Sequence, residues 1–206
     1  MGPGFTRNSA LIASADLSRN EGAVAALPKD IMTSDEFLAW DEQAQGRFEL
    51  HDGVVIELTG QTATHGDKKF AAQVALKTAI AKANVQCHML PDGMAVRISS
   101  KKVYKPDGLV YGGPRVPGKT REIADPIIIA EVLSKSTRNV DQGEKVYAYF
   151  SLPSVQHYIV IDPERPPVIH HARQSETSYL TRLMHTGGIE LNSPGVTIDV
   201  TQLLDL

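Results

Sequence analysis

The sequence predicts an α/β or α+β domain in which helices flank a mixed sheet. Strand and helix patterns alternate along the chain, as they do where helices cover a sheet. The run PIIIAEVLSKST, residues 126–137, is short, β-branched and bounded by a proline and a polar cluster. It indicates a central strand buried on both faces. The C-terminal segments VIHHARQ, SYLTRLMH and VTIDV, separated by proline-rich and Gly-Gly turns, predict an antiparallel meander.

Composition fits one ordinary globular domain. The chain has 206 residues, of which 42% are hydrophobic and 22% charged, enough to bury a continuous core without disulfides or a structural metal. A single cysteine, Cys87, excludes an intramolecular disulfide. Together with apolar runs too short to cross a membrane, it predicts a cytoplasmic protein without a membrane segment. A net charge of −3 argues against a protein that coats nucleic acid, but it allows a local basic groove.

The first part of the chain predicts an arm, a capped helix and a hairpin. Residues 1–30 are rich in Gly, Ala, Ser and Asn and lack periodicity, so we expect a flexible arm, part of it a tag, ahead of a domain over residues 31–206. In MTSDEFLAW, Thr33 or Ser34 caps a short helix. RFEL and VVIELT flank HDG, in which Gly53 supplies the positive φ of a tight turn.

The middle of the chain predicts a long helix followed by several strands. The segment HGDKKFAAQVALKTAIAKAN, residues 65–84, predicts about five helical turns. Phe70, Val74 and Ala81, with the neighbouring positions 73, 77 and 80, define its mostly buried stripe. Three strand candidates follow, namely VQCHML, MAVRIS and VYKPDGLVYG. The later elements are, in order, the loop GGPRVPGKTREIAD, the buried strand IIIAEVLS, the helix RNVDQGEKVYAYFS and the strand VQHYIVID.

Glu131 lies inside the buried run, between three isoleucines and an alanine on one side and Val132 and Leu133 on the other. A buried ionised carboxylate needs a cation, a metal ion or a proton. Asp107, in KPDG, precedes it by a gap that fits one strand, one loop and the neighbouring strand, so the two carboxylates can lie side by side. Such an oxygen-rich pair suits a hard divalent ion such as Mg²⁺. A turn aspartate and an arginine-paired glutamate remain an equally supported alternative.

Lys145 is the nearest candidate for a cation beside Glu131. On a helix, Asp141, Lys145 and Tyr149 recur at i, i+4 and i+8 and share one face. Residues two apart on a strand also share a face, but the residue two after Glu131 is Leu133, which carries no charge. The alternative is a surface Asp–Lys pair beside a packed tyrosine, which would contribute little to stability.

Six motifs in this order resemble the Uma family of restriction-endonuclease-like proteins, long carried as a domain of unknown function. They are RFELHDGVVIEL, the histidine that opens the long helix, KPDG, IIIAEVLSKST, DQGEKVYAYF and SVQHYIVIDP. The resemblance spans roughly residues 32–200 and implies the fold of the PD-(D/E)XK nuclease superfamily, in a branch whose lysine has moved from the glutamate-bearing strand to the following helix.

The resemblance implies a metal-dependent nuclease site. Asp107, Glu131 and Lys145 match the aspartate, the glutamate and the moved lysine. Glu49 matches the acidic position on the first strand, where it would bind a second ion or order a water, and His65 the histidine before the long helix. Asp141 and Tyr149 match the helix positions that flank the lysine. Asp107, Glu131 and the Val132 carbonyl would hold Mg²⁺, for which Mn²⁺ can substitute, and Lys145 would stabilise the transition state.

The implied substrate is nucleic acid, with DNA preferred. A basic set would contact phosphates, although a solvated charged face is the commoner meaning of such residues. The set is Arg97, Lys101, Lys102, Lys105, Arg115, Lys119 and Arg121. Two other functions stay open: a catalytically idle module that binds nucleic acid or protein, and a homo-oligomeric scaffold, with a homodimer as its simplest form. His170 and His171 are adjacent on a strand and face opposite ways, so they are not expected to share a metal ion.

Overall fold

A computed structural model describes residues 27–28, 30–58, 60–134 and 143–204. The predicted arm lies almost wholly outside these ranges and stays a prediction. The helices in the described ranges are α1 (Ser34–Asp41), α2 (Ala63–Ala83), α3 (Glu144–Phe150) and α4 (Thr201–Leu204). The strands are β1 (Phe48–His51), β2 (Val54–Glu57), β3 (Cys87–Pro91), β4 (Val96–Ser99), β5 (Lys102–Tyr104), β6 (Gly108–Gly112), β7 (Pro126–Val132), β8 (His157–Ile161), β9 (Val168–Arg173), β10 (Tyr179–Met184), β11 (Gly188–Leu191) and β12 (Val196–Asp199).

The main sheet is mixed, as predicted. Its strands follow the order β10-β9-β8-β7-β6-β3. The β7–β8 pair is parallel, and the other neighbours are antiparallel. On one face Val132 packs in the same core as Leu76 of α2. On the other face Leu133 packs with Val146 and Tyr149 of α3. The predicted central strand is therefore covered on both sides, and its alternating side chains reach two separate cores.

A smaller sheet, β2-β1-β5-β4, stands beside the main one. Its β1–β2 hairpin turns at Gly53, whose φ of 89° is the positive value expected there. The predicted strand VYKPDGLVYG is wrong as one element, since its first half is β5 in this sheet and its second half is β6 in the main sheet. Pro106 has no N–H to continue a ladder, and the Lys105 N–H donates to the Glu49 side chain instead. The break places Asp107 directly before β6.

The ends of the domain agree with the sequence in part. Thr33 caps α1 in a capping box with Glu36, as predicted. The C-terminal strands are antiparallel, but they divide between sheets: β9 and β10 extend the main sheet, while β11 and β12 pair only with each other. Ile189 and Ile198 of this separate ladder pack in the same core as α2. The ladder therefore adds buried apolar side chains to that core.

The predicted buried stripe of α2 is wrong except at Ile80. Phe70 is 66% exposed and Val74 44% exposed. The face that packs inward carries His65, Lys68, Lys69, Ala72, Ala75, Leu76, Ala79 and Ile80. Its apolar members recur at helical spacing from Ala72 to Ile80 and pack in one core, while the lysines near its start meet polar partners. The Lys68 ammonium donates to the Leu204 carbonyl, and the Lys69 ammonium donates to Asp92.

Candidate active site

Asp107 and Glu131 lie at the same end of two neighbouring strands. Gly108, the first residue of β6, pairs with Ala130 of β7 in the antiparallel ladder. Asp107 precedes Gly108 and Glu131 follows Ala130, so the two residues lie next to each other at the same end of the ladder. Asp107 Oδ2 accepts a hydrogen bond of 2.9 Å from the Val132 backbone N–H. This bond ties the aspartate to the strand that carries the glutamate.

Two side chains of α2, Lys69 and His65, lie beside Asp107. Lys69 Nζ lies 3.3 Å from Asp107 Oδ1 and His65 Nε2 lies 3.6 Å from Oδ2. Burial by itself would raise the pKa of Asp107, but contact with His65, the Val132 N–H and the charge of Lys69 outweigh it, so the pKa is lowered. At 3.6 Å the His65 contact is longer than a hydrogen bond, and this buried nitrogen has no hydrogen-bond partner in the described part of the chain. Asp107 is thus an ionised carboxylate that can serve as a metal ligand. Beside it lies the imidazole nitrogen of His65, which makes no hydrogen bond in the described residues.

Glu131, at the end of β7, contacts Lys145 of α3. Its carboxylate belongs to a residue only 5% exposed, as the sequence predicted. Lys145 Nζ lies 3.0 Å from Glu131 Oε1 and 3.1 Å from Glu49 Oε1. The three side chains form a buried group in which one ammonium lies between two carboxylates. The helix therefore supplies the cation that the strand lacks, as the resemblance implied.

Two tyrosines, Tyr149 and Tyr104, contact the Glu131–Lys145–Glu49 group. The Tyr149 hydroxyl donates a 2.8 Å hydrogen bond to Glu131 Oε1. Burial and the charges of Glu131 and Glu49 raise the pKa of Tyr149 well above its usual value, so the hydroxyl keeps its proton. The Tyr104 ring lies 5.1 Å from Lys145 Nζ, within range of a cation–π attraction. The lysine is thereby held toward the carboxylates.

Glu49 on β1 is the most enclosed of the three carboxylates, at 1% exposure. Burial would raise its pKa, but Lys145, the His51 side chain and the Lys105 N–H outweigh burial, and the pKa is lowered. His51 Nε2 lies 2.9 Å from Glu49 Oε2. Each oxygen of Glu49 therefore has a partner from this chain, so the arrangement accounts for an ionised Glu49 without a second metal ion.

The donor chemistry of Asp107 and Glu131 fits a hard divalent cation. In the described residues, no cluster of three or more His, Cys, Asp or Glu side chains converges on one point. Mg²⁺ needs no such cluster, because it is commonly held by one or two carboxylates together with water and substrate phosphate. Two carboxylates at one end of adjacent strands meet that requirement. The Val132 backbone contributes its N–H to Asp107, while a role for its carbonyl as a ligand stays a prediction.

Some predicted site features take a different place in the structure. The carboxylate of Asp141 lies outside the described residues. Four members of the basic set form ion pairs with carboxylates of this chain, so their charges are already compensated without phosphate. These pairs are Arg97 with Asp35 and Glu122, Lys102 with Asp52 and Glu144, Lys105 with Asp41, and Arg121 with Glu42. The interpretation of this set as a phosphate-contacting surface is correspondingly weakened.

Sequence reasoning missed Lys69, Arg47 and Asp92, which surround Asp107. A signal for Lys69 was present, because it follows His65 by one helical turn and therefore shares its face. Arg47 and Asp92 come from a strand entry and a turn distant in sequence, and no local pattern joins them. His170 and His171 do face opposite ways, as expected: His170 contacts His157, and His171 contacts Thr181.

The mixed sheet with its flanking helices forms a nuclease-like α+β fold. The chain belongs to the Uma2 family, described as "Putative restriction endonuclease", whose match covers residues 34–204. The fold resembles the crystal structure of "a putative nuclease belonging to DUF820" from Anabaena variabilis, with a TM-score of 0.62 and 16% identity over 84% of this chain and 97% of the other. At that identity the likeness concerns the fold alone.

Two curated relatives come from Synechocystis. The chain is 29% identical to the uncharacterized protein sll1609 over 75% of its own length and 88% of the relative. It is 25% identical to the uncharacterized protein slr1290 over 85% of its own length and 92% of the relative. In the described ranges, no helix is both long and apolar enough to span a membrane.

Proposed function

We propose that the protein hydrolyses phosphodiester bonds of DNA in a Mg²⁺-dependent reaction. The observation that carries the proposal is the position of Asp107 and Glu131 at one end of adjacent strands, with Lys145 Nζ 3.0 Å from Glu131. Two hard oxygen donors beside a buried ammonium suit a reaction in which negative charge grows on a phosphate. Membership of the Uma2 family supports the same class of chemistry.

Each residue has a distinct part in this proposal. Asp107 and Glu131 would hold the divalent ion, which supplies Lewis acidity and lowers the pKa of a bound water. The Val132 N–H fixes the Asp107 carboxylate. Lys145, held by Glu49 and faced by Tyr104, would stabilise the charge of the transition state. His65 would donate to a phosphate oxygen through the buried nitrogen that lacks a hydrogen-bond partner in the described residues.

One observation favours a second candidate, a module that binds nucleic acid without cleaving it. Lys145 already lies within 3.1 Å of both Glu49 and Glu131, and Tyr149 also donates to Glu131. The carboxylates are therefore compensated by protein groups. A site that needs no ion for its stability can persist after catalysis is lost.

A cleavage assay separates the two candidates. Purified protein would be incubated with supercoiled plasmid and with single-stranded DNA, in Mg²⁺, in Mn²⁺ and in EDTA. We expect cleavage only with a divalent ion, and loss of cleavage in Asp107→Asn and in Glu131→Gln, two nearly isosteric changes that remove a charged ligand. Arg97→Gln, which removes one charge of the opposite sign from a side chain that pairs elsewhere, serves as the control. Binding without cleavage by folded parent protein would favour the module instead.

A further inference from the structure

Arg47 stands at the rim of the candidate site with much of its binding capacity unused. It precedes β1, and its side chain is 32% exposed. Its Nη2 lies 3.3 Å from Asp92 Oδ2 and 3.9 Å from Asp107 Oδ1. Both contacts use a single nitrogen of a guanidinium that has five N–H donors in a planar fork.

Arg97 is a useful comparison, because three nitrogens of its guanidinium donate hydrogen bonds to carboxylates. Its side chain is 33% exposed, nearly the same as that of Arg47. Yet its Nε and Nη2 donate to Glu122 at 2.8 and 3.1 Å, and its Nη1 donates to Asp35 at 2.7 Å. Equal exposure with unequal pairing shows that the guanidinium of Arg47 has N–H donors left for another anion.

Asp92 holds two cations at this rim. Besides Arg47 it accepts a 3.0 Å hydrogen bond from Lys69 Nζ, and the same ammonium lies 3.3 Å from Asp107. The carboxylate is 34% exposed, so it can move away from its partners into water. Asp92 belongs to the turn directly after β3.

The charges of this rim balance only while no metal ion is bound. Asp92 and Asp107 carry two negative charges, and Arg47 and Lys69 carry two positive ones. A divalent ion on Asp107 would leave an excess of two positive charges in a partly buried place. Phosphodiester groups are the anions that a nucleic-acid substrate brings, and an arginine fork binds a phosphate through two parallel hydrogen bonds.

We infer that Arg47 binds a backbone phosphate of the nucleic acid beside the scissile bond, and that Asp92 holds Arg47 and Lys69 until that phosphate takes its place. The inference rests on the proposed function for the identity of the ligand. It assigns a phosphate-binding role to Arg47 and a competing, inhibitory role to Asp92. Exchange of one anion for another requires no covalent step.

Two variants and one matched control test the inference by affinity alone. The variants are Arg47→Gln and Asp92→Asn, and the control is Arg97→Gln. Asparagine keeps the turn chemistry of the Asp-Gly pair, and each glutamine variant removes one positive charge. Affinity would be measured by fluorescence anisotropy with labelled duplex DNA, single-stranded DNA and duplex RNA, in EDTA and in Ca²⁺, over a range of salt concentrations. Gel analysis afterwards verifies that the probe is intact.

We expect Arg47→Gln to weaken binding about tenfold, the effect of losing one charge-assisted contact, and to reduce the slope of log K against log salt by about one. Arg97→Gln should change both by much less. Asp92→Asn should strengthen binding severalfold, because it removes the anion that competes with phosphate. Loss with Arg47→Gln in only one of the three nucleic acids would show which backbone the rim accepts.

Equal effects of Arg47→Gln and Arg97→Gln, or weaker binding by Asp92→Asn in protein that unfolds at the parent temperature, would overturn the inference. Absence of nucleic-acid binding by the parent would overturn it too. Because every measurement is made without cleavage, a failure of the proposed hydrolysis would leave these affinities readable. The two ideas therefore fail separately.

Discussion

Lys145 places its ammonium 3.0 Å from Oε1 of Glu131, although the lysine lies on a helix and the glutamate on a strand. The residue that shares the face of Glu131 on its own strand is Leu133, which is 1% exposed and packs in the core against α3. The helix supplies the charge and the strand supplies packing. Charge compensation and side-chain packing can therefore be tested one at a time at these two positions.

Replacement of Lys145 by alanine should destabilise the protein by about 3–5 kcal/mol, because it leaves two buried carboxylates without their cation. Lys102→Ala is the matched control: Lys102 pairs with the more exposed Glu144 and Asp52, and its loss should cost less than about 1 kcal/mol. Urea unfolding at pH 7 measures both. A Lys145→Ala variant that also carries Glu49→Gln should recover part of the loss, and equal stabilities for the two lysine variants would contradict this account.

That prediction differs from the alternative that the sequence left open for Lys145. A surface Asp–Lys pair on a helix would contribute little to stability. The structure instead buries the lysine to 3% exposure. The resemblance identified the right residue for the contact with Glu131, but local periodicity could not reveal that Glu49 approaches the same ammonium from β1, in another sheet.

Truncation of Leu133 tests how much its packing against α3 contributes to stability. Leu133→Ala should cost about 2–5 kcal/mol by leaving a cavity among buried side chains. The control is Leu180→Ala on β10, where the side chain is 40% exposed, and its effect should stay within about 0.5 kcal/mol. Chemical denaturation provides the comparison. If metal affinity, measured by calorimetry, falls in Leu133→Ala while stability does not, Leu133 belongs to the site rather than to the core.

Acid should destabilise the protein through its buried histidines. Burial lowers the pKa of His157 and of His170 from 6.5 to about 4, and their ring nitrogens lie 3.0 Å apart. The unfolded chain takes up these protons first, so the free energy of unfolding is greatest above pH 6.5 and falls as the pH drops toward about 4. Each proton contributes a slope of about 1.4 kcal/mol per pH unit.

Substitution of one histidine checks this assignment. His170→Gln should make the fall between pH 6.5 and pH 4 shallower by about one proton. His185→Gln removes an exposed histidine and should leave the slope as in the parent. Urea titrations at half-unit intervals of pH give the slopes, and the same slope in the parent and His170→Gln would remove the histidine pair as the cause of acid sensitivity.

The sequence predicted features that depend on short stretches and missed those set by distant partners. The buried strand around Glu131, the Gly53 turn and the Thr33 cap each follow from a few neighbouring residues. The burial of Lys69 on α2 does not, since its partners Asp92 and Asp107 come from distant parts of the chain. Polar burial of this kind is decided by the tertiary fold, and a hydrophobic pattern assigns such a lysine to the surface.

Metal binding should be visible as stability before any substrate is known. A ligand that binds only the folded state raises the free energy of unfolding, by about 2.7 kcal/mol when its concentration is a hundred times the dissociation constant. We therefore expect Mn²⁺ to raise the unfolding midpoint of the parent and EDTA to reverse the change. Asp107→Asn should lose the Mn²⁺ response, because the remaining glutamate already pairs with Lys145 and Tyr149. Asp92→Asn, which removes an equal charge nearby, should keep it. If Asp107→Asn responds to Mn²⁺ as the parent does, the ion binds somewhere other than beside Asp107 and Glu131.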